Sequence, residues 1–156
     1  MTTSLDFADD GTVLEFFVPG IPAPGGSKRF MGLGKRTGRA ILIDAGGQRT
    51  KDWRACVGLA GSLAAKVVLQ GPLELTCVFT MPRPKYHFHT GKAKRGQLRE
   101  DAPQYHTTKP DTTKLLRSTE DALKGITWLD DSQVARQHGI KTYGPHPGCL
   151  IRISTL

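Results

Sequence analysis

The stretch KPDTTKLLRSTEDALKGITWLDDSQV, residues 109–134, sets a basic amphipathic segment between two acidic sites about twenty positions apart. The pattern predicts a helix over residues 111–125, begun at Asp111 just past Pro110 and stopped at Gly125. At 100° per residue, Leu115, Leu116, Thr119, Ala122 and Leu123 share one side, and Lys114, Arg117, Asp121 and Lys124 the other. Asp111 sits where its carboxylate can cap free backbone amides. Asp121 lies roughly 15 Å farther along the axis, too far to share a metal with Asp111. Helical spacing pairs Asp121 with Arg117 or Lys124. Asp130 and Asp131 stand at the mouth of a following strand. A helix and strand joined by so short a turn run antiparallel, so bringing Asp131 to Asp111 requires a wider path or a partner subunit.

Outward from this stretch the remaining elements follow from periodicity. VLEFFVPG (13–20) reads as a strand ended by Pro19 and Gly20. Residues 47–69 space Trp53, Val57, Ala60, Leu63, Ala64, Val67 and Val68 by threes and fours, a helical stripe ended near Gly71 and Pro72. LELTCVFTMPRP (73–84) alternates Leu73, Leu75, Cys77, Phe79 and Met81 against polar residues and reads as a half-buried strand. SQVARQHGIKTYG and CLIRIS give two closing strands. The order β-α-β-α-β-β is that of an α/β (α+β) fold, one mixed sheet flanked by two main helices. A flexible segment at 1–12 precedes one domain at 13–156, with basic loops at about 20–46 and 83–109. A chain of 156 residues is long enough for one such core and too short for two substantial ones.

Lys and Arg number 22 against 14 Asp and Glu, a net charge of +8, so a polyanion is the partner that composition favours over a merely soluble basic protein. The surplus is concentrated in GSKRFMGLGKRTGR (26–39) and RPKYHFHTGKAKRGQLR (83–99). No apolar run approaches the roughly 18 residues of a membrane span, and the acidic opening MTTSLDFADDGTV is unlike a signal peptide, so a cytoplasmic protein is expected. Cys56, Cys77 and Cys149, odd in number and far apart in apolar surroundings, read as reduced core thiols.

Carboxylates amid Lys and Arg suit phosphodiester hydrolysis: hard oxygen ligands hold Mg²⁺ and the basic surface holds the backbone. Capping and solvation account for the same acids equally well. His87 and His89 have a spacing compatible with zinc but no third ligand nearby, and contact with nucleic acid by Tyr86, Phe88, Lys85 or Lys92 is the better reading of that insert. His106, beside TTKPD, reads as a surface loop residue or an aid to phosphate positioning.

The Pro-Asp helix start, the Leu-Leu pair, DAL, the Gly and then Trp-x-Asp-Asp-Ser-Gln-Val resemble the signature of the RusA family of Holliday junction resolvases. FFVPGIPAPGGSKRF and GPLELTCVFTMPRPK look like that family's first strand with its basic loop and its central strand, so the resemblance covers most of residues 13–155. It implies an α/β fold and a homodimer that binds branched DNA, the four-way junction. It also implies Mg²⁺-dependent cleavage, with Mn²⁺ a substitute, and paired nicks in recombination and repair. No membrane and no small-molecule cofactor are implied, and a phage-encoded protein of this kind would work in the host cytoplasm. Carried over, the family's first aspartate falls on Asp111 and its later one on Asp131, with Asp130 beside it, as metal ligands. The family's second aspartate and following asparagine are Thr113 and Lys114 here, and its catalytic lysine is Arg117. A guanidinium holds phosphate bidentately but does not donate protons as an ammonium does. The catalytic set is then Asp111, Asp131, Arg117 and Lys114. DNA contact falls to Lys28, Arg29, Lys35 and Arg36 in the first basic segment, to Lys85, Lys92, Lys94 and Arg95 in the second, and to Lys109. The alternative is a noncatalytic junction-binding or DNA-binding module that keeps the fold; cleavage of RNA or of flapped or single-stranded DNA is a third reading.

Overall fold

The computed structural model describes residues 11–26, 28–44 and 46–156. In chain order the elements are β1 (Thr12–Pro19), β2 (Lys28–Leu33), β3 (Ala40–Asp44), α1 (Gly47–Ala64), β4 (Leu73–Met81), α2 (Thr112–Leu123), β5 (Val134–Tyr143) and β6 (Gly148–Thr155). Single 3₁₀ turns occupy Lys85–His87 and Asp131–Gln133. The main sheet has the order β1-β6-β4-β5. β4 pairs in parallel with β5, while β6 is antiparallel to both β1 and β4. A parallel pair demands a crossover, and the chain between β4 and β5 makes it through α2.

Alternation along β4 turns Leu73, Leu75, Cys77, Phe79 and Met81 to the helices, where they join Val18, Ile151 and Ile153 from the neighbouring strands. α1 contributes Trp53 and Val57, and α2 Leu115 and Leu123. Each such fully buried side chain contributes about 1.5–3 kcal/mol of transfer free energy. α1 lies on β1 and on α2, and α2 lies on β5. The two helices run side by side in the same direction. Trp53 Nε1 donates to Thr119 Oγ1 at 3.3 Å, Arg54 meets Asp121 at 2.8 Å, and about two turns farther along α1 Gly61 lies under Leu123. A Cβ on Gly61 would stand 2.8 Å from Leu123 Cδ2, so a larger residue there would have to displace that buried side chain.

The α+β class, two helices and a mixed sheet agree with the sequence reading, but there are two sheets rather than one. The basic segment at 20–46, expected as a loop, holds the antiparallel hairpin β2–β3. α1 stops at Ala64 instead of near residue 69, because its last apparent stripe positions face outward: Leu63 is 79% and Val67 69% exposed. Cys77 and Cys149 are buried thiols, whereas Cys56 is exposed on α1. Residues 1–10 of the expected N-terminal segment lie outside the described residues, and β1 begins at Thr12. Among the described residues no helix is long and apolar enough to cross a membrane.

Candidate active site

Because α1 and α2 are parallel neighbours, their first turns open onto one cleft of about 400 Å³, lined by Pro24, Gly46, Arg49, Lys109, Pro110, Asp111 and Lys114. Among the described residues neither helix start carries a side-chain cap, and neither first turn holds an acidic residue. The first amides of a helix have no acceptor within it, and the macrodipole places partial positive charge there. Two such ends, with Arg49, Lys109 and Lys114 around them, make an anion site. Among the described residues Asp111 is the single carboxylate in its lining. It occupies the N-cap position of α2 with extended backbone, yet its side chain takes no capping hydrogen bond. The carboxylate is thus not engaged in the structural role that helix-start chemistry offered it.

Two features fix this cleft. Lys141 on β5 donates from Nζ to the carbonyls of Thr108 at 2.9 Å and Pro110 at 2.6 Å, pinning the entry to α2. Beneath it His106, expected at the surface, is buried against the Tyr143 ring, its Nε2 3.3 Å from Thr108 Oγ1. Burial, and then the Lys141 charge, hold its imidazole below its ordinary pKa. On the other side, the Pro-Gly-Gly turn after β1 docks on α2. Gly25 N–H donates to the Lys114 carbonyl at 2.9 Å, and Thr50 Oγ1 donates to the Pro24 carbonyl at 2.7 Å. A Cβ on Gly25 would lie 3.1 Å from Ser118 Cα, and one on Gly26 2.6 Å from Arg117 Cδ. Glycine at position 25 lets the turn reach the helix, and Gly26, at φ +77°, has the backbone that glycine favours. Arg117 therefore lies against the foot of the β2–β3 hairpin.

The second acidic site is elsewhere. Lys124, just past the end of α2, pairs with Asp130 at 3.0 Å. A rise of about 1.5 Å per residue puts that end roughly 20 Å from Asp111. Asp130 also accepts from Ser132 N–H and forms a capping box with Gln133. These amide bonds and Lys124 hold its carboxyl well below the usual range. Asp131 accepts from Nε1 of the buried Trp128 at 2.9 Å. Near it, half-buried Glu120 is raised above the usual carboxylate range, first by burial and then by the charges of Asp131 and Asp121, against a hydrogen bond from Gln137. Asp111 and the Asp130–Asp131 turn are thus at opposite ends of α2 within one protomer. Among the described residues no three or more His, Cys, Asp or Glu side chains converge to hold a metal ion.

Of the other expected residues, Lys28, Arg29, Lys35 and Arg36 are exposed on or beside the hairpin, and Lys85, Lys92 and Arg95 on the loop after β4. Lys94 pairs there with Glu100 at 3.2 Å. His87 is buried edge-on to Tyr143 while His89 reaches Glu100, so the two imidazoles serve separate contacts. Asp121 pairs across the helices with Arg54, not along its own helix. Arg49 and Lys141 were absent from the sequence reading. The signal for Arg49 was a cation in a helix's first turn, where the dipole disfavours it.

A family model described as Endodeoxyribonuclease RusA matches residues 22–154. A Bacillus subtilis (strain 168) protein described as Uncharacterized protein YqaN is 28% identical over 123 residues, covering 76% of this chain and 81% of that protein.

Proposed function

Since the chain belongs to the RusA endodeoxyribonuclease family, we propose that it resolves four-way DNA junctions by Mg²⁺-dependent hydrolysis, leaving paired nicks in strands of like polarity. The observation that carries this is the cleft in which the starts of α1 and α2, Arg49, Lys109 and Lys114 surround the carboxylate of Asp111, which makes no side-chain capping bond. Phosphate oxygens suit the amides and cations; the lone carboxylate would repel them without a cation between. Magnesium is commonly held by only one or two carboxylates together with substrate phosphates, so Asp111 fits it even with Thr113 and Lys114 following. When bound, the ion would supply charge neutralisation and orientation of the attacking water.

Within this reading Lys114 and Arg117 hold the phosphodiester, Arg117 bidentately from its seat against Gly26. Asp131 is held in one orientation by Trp128, but at the far end of α2 from Asp111. A two-fold dimer brings the end of one α2 toward the start of another, which lets Asp131 complete a metal site begun by Asp111. The same symmetry gives two sites for the two strands of a junction. Asp130, committed to Lys124 and the Ser132 amide, serves the turn rather than the ion.

A second reading, junction binding without cleavage, draws on Thr113 and on the lack of three converging ligands among the described residues. The test is incubation with a synthetic mobile junction and a linear duplex in Mg²⁺, Mn²⁺ or EDTA. Metal-dependent symmetric nicks in the junction alone support resolution. Tight junction binding without nicks in either metal transfers the function to the second reading, and equal affinity for duplex and junction sinks both.

A further inference from the structure

The β2–β3 hairpin has no inside. Pairing sets Phe30 opposite Leu42 on one face, and the alternation of β3 sends Ile41 and Ile43 to the other. Phe30 is 58%, Met31 51%, Leu33 64%, Ile41 46%, Leu42 56% and Ile43 42% exposed. Among the described residues the hairpin makes no more than marginal contact with any other helix or strand. A free two-stranded ribbon is marginal in water, and an exposed apolar cluster of this extent marks a binding surface. Basic residues bracket the apolar centre: Lys28 and Arg29 at the foot, Lys35, Arg36 and Arg39 at the turn, with Asp44 the one acid of the segment 28–44. Its two feet lead to Gly26, against Arg117, and to Gly46, in the lining of the Asp111 cleft.

We infer that this hairpin is a wedge that enters the open centre of a DNA branch point, stacking Phe30 and its apolar neighbours on unpaired bases while the flanking cations hold the surrounding phosphates. The inference rests on the junction reading of the cleft and adds to it the means by which a branch is told from a duplex. A ribbon apolar on both faces needs an occupant that closes on both, as bases above and below an inserted side chain do. Charge selects nucleic acid over a second copy of the chain, which brings the same basic ends and the same net +8. In an intact duplex the bases are already stacked, so the apolar centre gains nothing there.

The test is a four-way junction carrying 2-aminopurine at the branch, titrated with the full chain without divalent metal. Wild-type protein is expected to raise the emission severalfold as the base unstacks. Phe30→Ala/Leu42→Ala should hold emission near the free-junction level and weaken junction binding by about tenfold or more, with duplex binding changed by less than about threefold. Phe30→Trp, which keeps a stacking ring, should retain both signals. Binding of the junction by wild type with unchanged emission overturns the wedge alone, as does an emission rise that survives the double substitution. A double variant that falls to half the wild-type mass by light scattering assigns the ribbon to a second copy and also overturns it. Failure of wild type to prefer the junction removes the reading of the cleft, and the wedge falls with it.

Discussion

Lys141→Met removes the ammonium that ties Thr108 and Pro110 to β5 while keeping most of the aliphatic stem. The lost bonds run to the Thr108 carbonyl at 2.9 Å and the Pro110 carbonyl at 2.6 Å. A hydrogen bond from a charged group contributes about 1.5–3 kcal/mol. Thr108 is exposed, so water replaces that bond at little cost; Pro110 is half-buried, and its carbonyl loses most of the contribution. The variant should therefore unfold with a stability lowered by about 2 kcal/mol at unchanged urea m-value. Removing the positive charge also lifts one of the two causes holding the His106 imidazole down, so its NMR titration should move up while staying below 6.5, because burial remains. Loss of the tether should displace Asp111, and a displacement near 1 Å lowers cleavage about a hundredfold. Stability within about 0.3 kcal/mol of wild type, with an unmoved His106 titration, would refute the claim that Lys141 organises the start of α2.

Gly25→Ala should destabilise by about 1–3 kcal/mol, since its Cβ would press on the α2 backbone at Ser118 Cα. Gly91→Ala, with open space around it, should stay within about 0.5 kcal/mol by the same urea titration. His106 binds its proton less readily folded than unfolded, so its share of stability is complete above pH 6.5 and lost as pH falls below that value toward the folded pKa. Urea midpoints from pH 8 to pH 5 should fall less steeply in His106→Gln. Asp131→Asn still accepts the Trp128 indole N–H, so the fold should persist. Its loss of charge should lower the Glu120 titration toward the ordinary carboxylate range, as carboxyl NMR would read, and nicking should fail.

The helix α2 was legible because its start, apolar stripe and stop all lie in one short stretch, and β4 because strict alternation leaves one reading. The hairpin was not, since glycines and cations mask the period of a ribbon that buries neither face. Leu63 and Val67 extend a stripe that the sheet does not reach, so α1 read too long. At the site, Asp111 could be placed at a helix start from the sequence, but its freedom from capping is a matter of side-chain orientation. The convergence of Arg49 with Lys114, the tether from Lys141 and the pairing of Asp121 with Arg54 are all tertiary. Spacing along one helix finds only partners on that helix. The antiparallel helix and strand leave open whether Asp131 reaches Asp111 by a wider path or from a partner subunit; within one protomer the two lie at opposite ends of α2.

The central claim is that Asp111 acts chemically and not as a helix cap. Asparagine is as good an N-cap as aspartate, so Asp111→Asn separates the two roles in one preparation, measured as the nicking rate on the mobile junction in Mg²⁺ beside the urea midpoint. The account predicts an unchanged midpoint, junction binding equal or tighter, and nicking lowered at least about a hundredfold, the upper range for disturbing a residue that merely supports a ligand. Nicking at the wild-type rate by the folded variant would contradict it.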